Sequence, residues 1–300
     1  MQKPTSLKKG DKIVILSTAR KISLAEIEPA ITELTSWGLE VELGANLFEE
    51  DHQFSGTVTQ RVADLQAALD NENVKAILCA RGGYGTVQLI DELDFTQFCK
   101  SPKWLIGYSD VTVLHNHINQ NYNIQTLHAT MPINFLSNTA ESIVSLRKAL
   151  FGDPILYDFP THKMNRKGNA KGVLVGGNLS IIYSLTGTSS QLNTTSKILF
   201  IEDLDEYLYH VDRMLQNLKR AGMLTDLAGL VVGGMSDMND NAIPFGKTAK
   251  QIIMDTVKEY NYPVCFDFYA GHLDDNRALA FGNKVQLEIG EECSLKMDEL

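Results

Sequence analysis

The first half of the 300-residue chain alternates two kinds of segment, short β-branched apolar runs and stretches with helical spacing of apolar residues. Lys12–Leu16 (KIVIL) is typical of a buried strand, and the apolar residues from Leu24 to Leu34 fall on one helical face. Strands that alternate with helices through short connections form a mostly parallel sheet with helices on both faces. The pattern therefore predicts an α/β fold whose binding sites lie at the carboxyl ends of the strands.

The first predicted helix carries conflicting signals about where it begins. Ser23 and Glu26 have the spacing of a capping box, which places the start directly after Ser23. Proline is tolerated best in a first turn, so Pro29 moves the expected start toward Glu28. The alternation continues with predicted strands at Leu39–Leu43, Val74–Cys79 and Trp104–Tyr108 and predicted helices at Arg61–Leu69, Thr86–Leu93 and Val111–Ile118.

The periodicity lapses between Phe151 and Gly172, where prolines, glycines and basic residues are frequent. We interpret residues 156–171 as a linker between an N-terminal domain, residues 1–155, and a C-terminal domain, residues 172–300. The second half mixes its elements less regularly, which predicts an α+β domain. Its predicted strands are Gly172–Gly177, Ile198–Ile201 and Leu230–Val232, and its predicted helices are Leu208–Leu218 and Ala249–Tyr260.

The charge balance argues against several classes of partner. Lys and Arg number 27 against 37 Asp and Glu, a net charge of −10, and no basic cluster offers a surface to nucleic acid or an anionic membrane. The N-terminus lacks a signal-peptide core, and no apolar stretch approaches the roughly 20 residues of a membrane helix. The four cysteines are too scattered for a zinc site or a disulfide framework. We therefore expect a cytoplasmic protein without a metal and without nucleic-acid or membrane partners.

Ser109 lies where the predicted strand Trp104–Tyr108 turns into the following helix. A serine at such a bend can project its hydroxyl from the end of the sheet, and the N–H of Asp110 would face the same space. Val111 stands where the nucleophile motif G-x-S-x-G has its last glycine, and serine is also an ordinary N-cap residue. The segment alone predicts either a nucleophile or a helix cap.

The turn Arg81–Thr86 (RGGYGT) follows another predicted strand and is rich in glycine. Glycines let backbone N–H groups approach an anion closely, either a phosphate or the oxyanion of an acyl-transfer intermediate. Gln88 breaks the G-x-G-x-x-G pattern, and Tyr84 removes the carboxylate that a nucleotide-kinase loop would offer to a metal. The turn is therefore either an anion-binding element or a turn that needs positive φ.

Two residues of the second half could complete a catalytic site around Ser109. Glu202 ends the predicted strand Ile198–Ile201 and begins an acidic run, and His272 lies in a polar loop directly after a glycine. A serine nucleophile needs a base within hydrogen-bond reach, and the base needs an acceptor that fixes its tautomer. Each residue alone also has an ordinary surface or structural interpretation, and only folding could bring the three together.

Five segments resemble, in order, the signature blocks of the LD-carboxypeptidases, serine peptidases also called muramoyltetrapeptide carboxypeptidases, among which the microcin-immunity peptidases form a branch. The resemblance extends from Gly10 to about Gly282, nearly the whole chain, and five ordered blocks are far more specific than one. The segments are ARGGYGTVQLIDELD, WLIGYSDVTVLHNHI, GVLVGGNLSIIYSLTGT, ILFIEDLDEYLYHVDRMLQNLKRAG and AGHLDDNRALAFG.

The resemblance implies that Ser109 is the nucleophile and that Glu202 and His272 are its triad partners, with no cofactor. It places the oxyanion hole at the backbone N–H groups of Gly83 and Asp110. It also implies a homodimer of chains with two domains. The N-terminal domain would be a flavodoxin-like (class I glutamine amidotransferase-like) parallel sheet, and the smaller C-terminal domain a swivelling β/β/α unit.

Members of the family remove the terminal D-alanine from murein tetrapeptide during cell-wall recycling, so the resemblance implies a small peptide substrate. The pocket must hold the free carboxylate of that residue, and Arg is suited to bidentate carboxylate binding. We expect Arg81 to bind it, and Gly82 and Tyr84 of the same turn to contact the substrate. The chain lacks the proline-containing stretch of the family at residues 17–20, in an expected pocket wall.

Two alternatives remain open at this point. A microcin-immunity-type peptidase would act on a C-terminal amide or a peptidyl-nucleotide, and an aromatic platform near the pocket would favour it, with Trp37 and Trp104 as the available tryptophans. A non-catalytic binder of nucleotides or muropeptides would use the glycine-rich turn without hydrolysis.

Overall fold

The computed structural model describes residues 1–298 as two sheets with helices packed against them. The strands are β1 (Lys12–Leu16), β2 (Glu40–Leu43), β3 (Val74–Cys79), β4 (Trp104–Gly107), β5 (Thr126–His128), β6 (Leu156–Pro160), β7 (Gly168–Asn178), β8 (Ile198–Leu204), β9 (Gly229–Ser236), β10 (Val264–Cys265), β11 (Leu279–Phe281), β12 (Lys284–Ile289) and β13 (Glu292–Met297). The α-helices are α1 (Leu24–Ser36), α2 (Val58–Asp70), α3 (Thr96–Lys100), α4 (Thr112–Tyr122), α5 (Ala140–Phe151), α6 (Leu179–Ser184), α7 (Leu208–Arg220) and α8 (Ala249–Thr256).

The first sheet has the strand order β2-β1-β3-β4-β5, all parallel, with β11 added antiparallel to β5 at its edge. This order is that of flavodoxin-like folds, which place their ligands where the strand order reverses, between β1 and β3. The prediction of an α/β fold with a parallel sheet is confirmed. Because β11 comes from the second half of the chain, the two halves are joined by strand pairing as well as by packing.

The second sheet has the order β10-β9-β8-β7-β12-β13-β6 and combines a parallel half, β7 to β10, with an antiparallel half. The segment that we predicted as a linker, residues 156–171, is not a bare connection, because it contributes β6 and the first residues of β7. In β6, Tyr157 and Phe159 point inward and alternate with exposed residues. Two prolines around this short alternation hid the strand signal.

Two helix predictions need correction. The first helix begins at Leu24, after the Ser23 capping box, and keeps Pro29 inside it rather than at its start. The buried face of Ile27, Ala30 and Leu34 offsets the hydrogen bond that proline cannot donate. The predicted helix Thr86–Leu93 is instead a pair of short 3₁₀ turns, Thr86–Gln88 and Ile90–Glu92.

The largest apolar core lies where the two sheets meet. It contains Ile106 of the first sheet together with Phe200 and Phe268 from the second half of the chain, and β11 contributes Phe281. The carboxyl ends of β4 and β8 consequently open toward a shared space, which is where the candidate site lies. Within residues 1–298, no helix combines the length and apolar character needed to cross a bilayer.

His115 of α4 is fully buried beside this core and should make stability depend on pH. Its Nε2 bonds to the Gly107 carbonyl at 2.8 Å, and burial lowers its pKa from 6.5 to about 4. Below pH 6.5 His115 is protonated in the unfolded chain but remains neutral in the folded chain. The free energy of unfolding therefore falls as the pH falls toward 4. When the pH is lowered from 7.5 to 5, the free energy of unfolding of His115→Gln should fall by about 2 kcal/mol less than that of the unmodified protein.

Denaturant unfolding of both proteins at the two pH values measures this difference. Glutamine can still donate to the Gly107 carbonyl but does not titrate. An equal loss of stability in the two proteins would contradict the burial of a neutral His115 ring.

Candidate active site

Ser109 occupies a sharp strand-to-helix bend. Its φ of +63° is unusual for a residue other than glycine, and the chain passes from β4 through a 3₁₀ turn at Ser109–Val111 into α4. A Cβ on Gly107, just before the bend, would lie 2.8 Å from Val111 Cγ2, so glycine is required for the turn to close this tightly. The bend presents the Ser109 hydroxyl at the carboxyl end of the first sheet, the position that nucleophilic serines occupy in α/β hydrolases.

The structure brings Ser109, His272 and Glu202 together in a line of hydrogen bonds. His272 Nε2 lies 3.2 Å from Ser109 Oγ, and His272 Nδ1 lies 2.6 Å from Glu202 Oε2. The backbone N–H of His272 also donates to Glu202 Oε2, at 3.2 Å. The Glu202 side chain is fully buried, so its carboxylate is shielded from water. The His272 side chain is 16% exposed, so part of the imidazole remains accessible. Serine hydrolases use this arrangement of hydroxyl, imidazole and carboxylate.

The loop that carries His272 is held from three sides. Gly271 has a φ of +104°, and a Cβ there would come within 2.6 Å of Glu202 Cβ, so only glycine allows this close approach. The Gly271 N–H donates to Asn276 Oδ1 at 2.9 Å, and Ser236 Oγ donates to the His272 carbonyl at 2.7 Å. These contacts therefore hold the backbone that carries the His272 imidazole in place.

The surroundings of His272 determine when it can accept a proton. Burial acts to lower its pKa, but the charge and hydrogen bond of Glu202 outweigh burial, so the pKa is raised above the ordinary 6.5. The Tyr108 ring packs edge-on against the imidazole, with ring centroids 5.0 Å apart, and Tyr108 itself donates to Asn134 Oδ1. Glu202 thus makes the imidazole more basic than burial alone would leave it, which favours transfer of a proton to His272.

Asp110 connects the bend at Ser109 to the glycine-rich turn. Its buried carboxylate accepts the Thr86 N–H at 2.9 Å, and burial raises the pKa of this carboxyl. A Cβ on Gly82 would lie 3.1 Å from Ser109 Cβ and 3.5 Å from the Asp110 nitrogen, so the turn passes directly over Ser109. The absence of a side chain at Gly82 leaves space beside the Ser109 hydroxyl for a reacting carbonyl.

A cavity of about 460 Å³ opens over Ser109 between the two sheets. Arg81, Gly82, Gly83 and Asp110 line it as the sequence suggested, but Tyr84 does not. Tyr84 is half-exposed and packs near Phe54, with ring centroids 6.3 Å apart. The lining also includes Arg20, Tyr108, Met131, Ile133, Asn134, Asn178, Ser180, Ile181, Asp203, Leu204, Asp205 and His272.

Sequence reasoning missed Asp203 and Asn178 as site residues. Asn178 Nδ2 donates to Asp203 Oδ1 at 2.9 Å, and the Ser180 N–H donates to Asp203 Oδ2 at 3.0 Å. Burial, together with the adjacent Glu202 charge, raises the pKa of Asp203 to about 7. The position of Asn178 after a glycine pair at a strand end was the available signal, since parallel strands end at the same edge.

Two other expectations concern groups around the site. Trp37 and Trp104 are both buried and neither lines the cavity, so the tryptophans offer no aromatic platform for a nucleobase. Within residues 1–298, no group of three or more His, Cys, Asp or Glu side chains has a geometry that could hold a metal ion.

Two long stretches of the chain match the two domains of a known protein family. Residues 13–129 match the LD-carboxypeptidase N-terminal domain and residues 171–287 match the LD-carboxypeptidase C-terminal domain. The chain is 33% identical to a probable murein peptide carboxypeptidase of Bacillus subtilis over 98% of its own length and 93% of that protein. It therefore belongs to the LD-carboxypeptidase family and is a peptidase.

Similar proteins of known name or structure extend the comparison. A murein tetrapeptide carboxypeptidase of Pseudomonas aeruginosa is 27% identical over 92% of this chain and 93% of that protein. Among solved structures, an MccF-like protein from Bacillus anthracis superposes with a TM-score of 0.87 at 25% identity, covering both chains completely. The muramoyltetrapeptide carboxypeptidase from Oxalobacter formigenes has the same fold, with a TM-score of 0.87 at 24% identity over 96% of this chain and 99% of that one.

Proposed function

We propose that this protein is a serine-type LD-carboxypeptidase that hydrolyses the amide before the C-terminal D-alanine of murein tetrapeptide. The observation that carries the proposal is the line of hydrogen bonds from Ser109 through His272 to Glu202 at a cavity wall. The proposed substrate is supported by similarity over nearly the whole chain to a probable murein peptide carboxypeptidase and to a murein tetrapeptide carboxypeptidase.

The geometry of the three side chains supports a distinct role for each. Ser109 Oγ attacks the amide carbonyl while His272 Nε2 takes its proton, and the same nitrogen then protonates the departing D-alanine amine. Glu202 holds the imidazole in the tautomer whose Nδ1 carries hydrogen and stabilises the imidazolium that forms. Water, activated by His272, then releases the tripeptide from the Ser109 ester.

The negative oxygen of each tetrahedral intermediate needs donors that are in place before the reaction. We assign this role to the backbone N–H groups of Asp110, at the start of the helical turn, and of Gly83, in the turn over the nucleophile. The close contact of Gly82 with Ser109 supports the assignment, because it holds that turn against the reacting centre. The same proposal needs no metal and no organic cofactor, and by family resemblance it describes a cytoplasmic homodimer.

The test is incubation of the purified protein with synthetic L-Ala-γ-D-Glu-meso-diaminopimelate-D-Ala. Mass spectrometry should record loss of one alanine, and a tripeptide should accumulate. A control substrate with a terminal L-alanine should remain intact, since recognition of the D-centre defines the class. An unchanged tetrapeptide, with the protein folded and monodisperse, would contradict the proposed function.

A further inference from the structure

Arg20 stands on the cavity wall formed by the loop after β1. Its backbone is fixed, because Ser17 Oγ donates to the Arg20 carbonyl at 2.8 Å and Arg20 forms an isolated bridge with Phe54. Its side chain lies across Gly83, where an added Cβ would meet Arg20 Cδ and Nε at 2.7 Å. Arg20, Gly83 and Ser109 line the same cavity, so the Arg20 side chain borders the space that a bound substrate would occupy.

The Arg20 charge acts on one carboxyl of the cavity, the buried Asp110, whose pKa it tends to lower. Within residues 1–298, its guanidinium has no hydrogen-bond acceptor and no ion pair, and the side chain is exposed. Arg81, the other arginine of the cavity, donates from Nη1 to the Lys21 carbonyl at 3.1 Å. Arg81 also lines a second, neighbouring cavity beside Glu26, so its position is shared between two surfaces.

The opposite wall has the opposite charge. Asp205 and the buried Asp203 line the cavity on the side of the second sheet. The cationic side chains of the described lining, Arg20 and Arg81, belong to the first, together with the buried Asp110 carboxyl, which accepts the Thr86 N–H. A free carboxylate would be attracted to the exposed Arg20 and repelled by the exposed Asp205 on the opposite wall. Because a carboxypeptidase removes one residue, that carboxylate must lie within one residue of the bond that Ser109 attacks.

We infer that Arg20 binds the C-terminal carboxylate of the substrate and thereby makes the protein a carboxypeptidase rather than a general peptidase. The inference rests on the proposed function and assigns to Arg20 the role that the sequence suggested for Arg81. Arginine presents a planar pair of N–H donors that matches both oxygens of a carboxylate, and a peptide amide lacks that charge. Substrates without a terminal carboxylate would leave the guanidinium unpaired.

The experiment compares two peptides and three variants. The peptides are murein tetrapeptide and the same tetrapeptide with a C-terminal carboxamide, and kcat and KM are measured for both. The variants are Arg20→Met, Arg20→Lys and Arg81→Met. Methionine keeps an unbranched apolar stem across Gly83 and removes the charge, so thermal unfolding should show unchanged stability for Arg20→Met.

Arg20→Met should lower kcat/KM for the free acid about 10- to 100-fold, mainly through KM, and leave the value for the amide nearly unchanged. Arg20→Lys should restore part of the preference because it keeps the charge. Arg81→Met should keep the unmodified protein's preference for the acid. If Arg20→Met still preferred the free acid over the amide, or if only Arg81→Met lost that preference, the inference about Arg20 would be overturned and the proposed function would stand. Failure of the unmodified protein to cleave either peptide would overturn the proposed function and the inference with it.

Discussion

Replacing either Ser109 or His272 with alanine is expected to lower kcat for murein tetrapeptide by about 10⁵-fold. Without the hydroxyl there is no nucleophile, and without the imidazole nothing 3.2 Å away accepts its proton. Because the two residues act as one unit, the double variant should be scarcely slower than either single variant. Quantifying released D-alanine under saturating substrate measures all three values.

A matched serine in the same cavity provides the control. Ser180 lines the cavity and donates to Asn178 Oδ1, and within residues 1–298 no hydrogen bond joins it to His272. Ser180→Ala should stay within about tenfold of the unmodified kcat, since at most one neutral hydrogen bond is lost. A Ser109→Ala protein with the activity of the Ser180→Ala protein would rule out Ser109 as the nucleophile.

Replacing Glu202 with glutamine is expected to lower kcat about 10⁴-fold and to move the acidic limb of the pH–rate profile to lower pH. His272 must be neutral to accept the Ser109 proton, so kcat/KM is lost as the pH falls through the His272 pKa. Glu202 raises that pKa above 6.5, whereas burial alone would lower it. Removing the carboxylate charge should therefore shift the acidic limb to lower pH.

Asp203, the carboxyl next to Glu202, provides a control that separates the effect of the Glu202–His272 contact from a general loss of negative charge. Asp203 also acts to raise the His272 pKa, but it is the weakest of the contributors and makes its hydrogen bonds to Asn178, Ser180 and Leu204. Asp203→Asn should shift the acidic limb less than Glu202→Gln and cost much less kcat. Equal shifts in the two variants would show that the direct Glu202–His272 contact is not what sets the pKa.

Much of the fold could be predicted because its signals are local. The strands β1, β3 and β4 are continuous apolar runs, as strands buried on both faces of a parallel sheet must be. Ser109 could be selected because a polar residue at a strand-to-helix bend is conspicuous in such a pattern. Helix α7 was evident from its regular apolar face, and its buried residues Val211, Leu215 and Leu218 agree with that spacing.

The remaining features depend on contacts between distant parts of the chain. Strand β11 is three residues long and is stabilised by pairing with β5 across more than half the sequence, which no local pattern can encode. The approach of Gly271 to Glu202 likewise required the second sheet to be assembled. Arg20 could not be distinguished from other surface arginines, because only the fold places it against Gly83.

The central claim, that Ser109 carries the acyl group during turnover, is tested most directly by trapping that intermediate. A murein peptide ending in D-lactate instead of D-alanine has a better leaving group, so the ester on the protein should form faster than it hydrolyses. Acid quenching followed by peptide mapping should find the tripeptide acyl group on the peptide that contains Ser109, and nowhere in the Ser109→Ala protein. Turnover without an acylated Ser109 peptide, or with the acyl group on another residue, would contradict the mechanism.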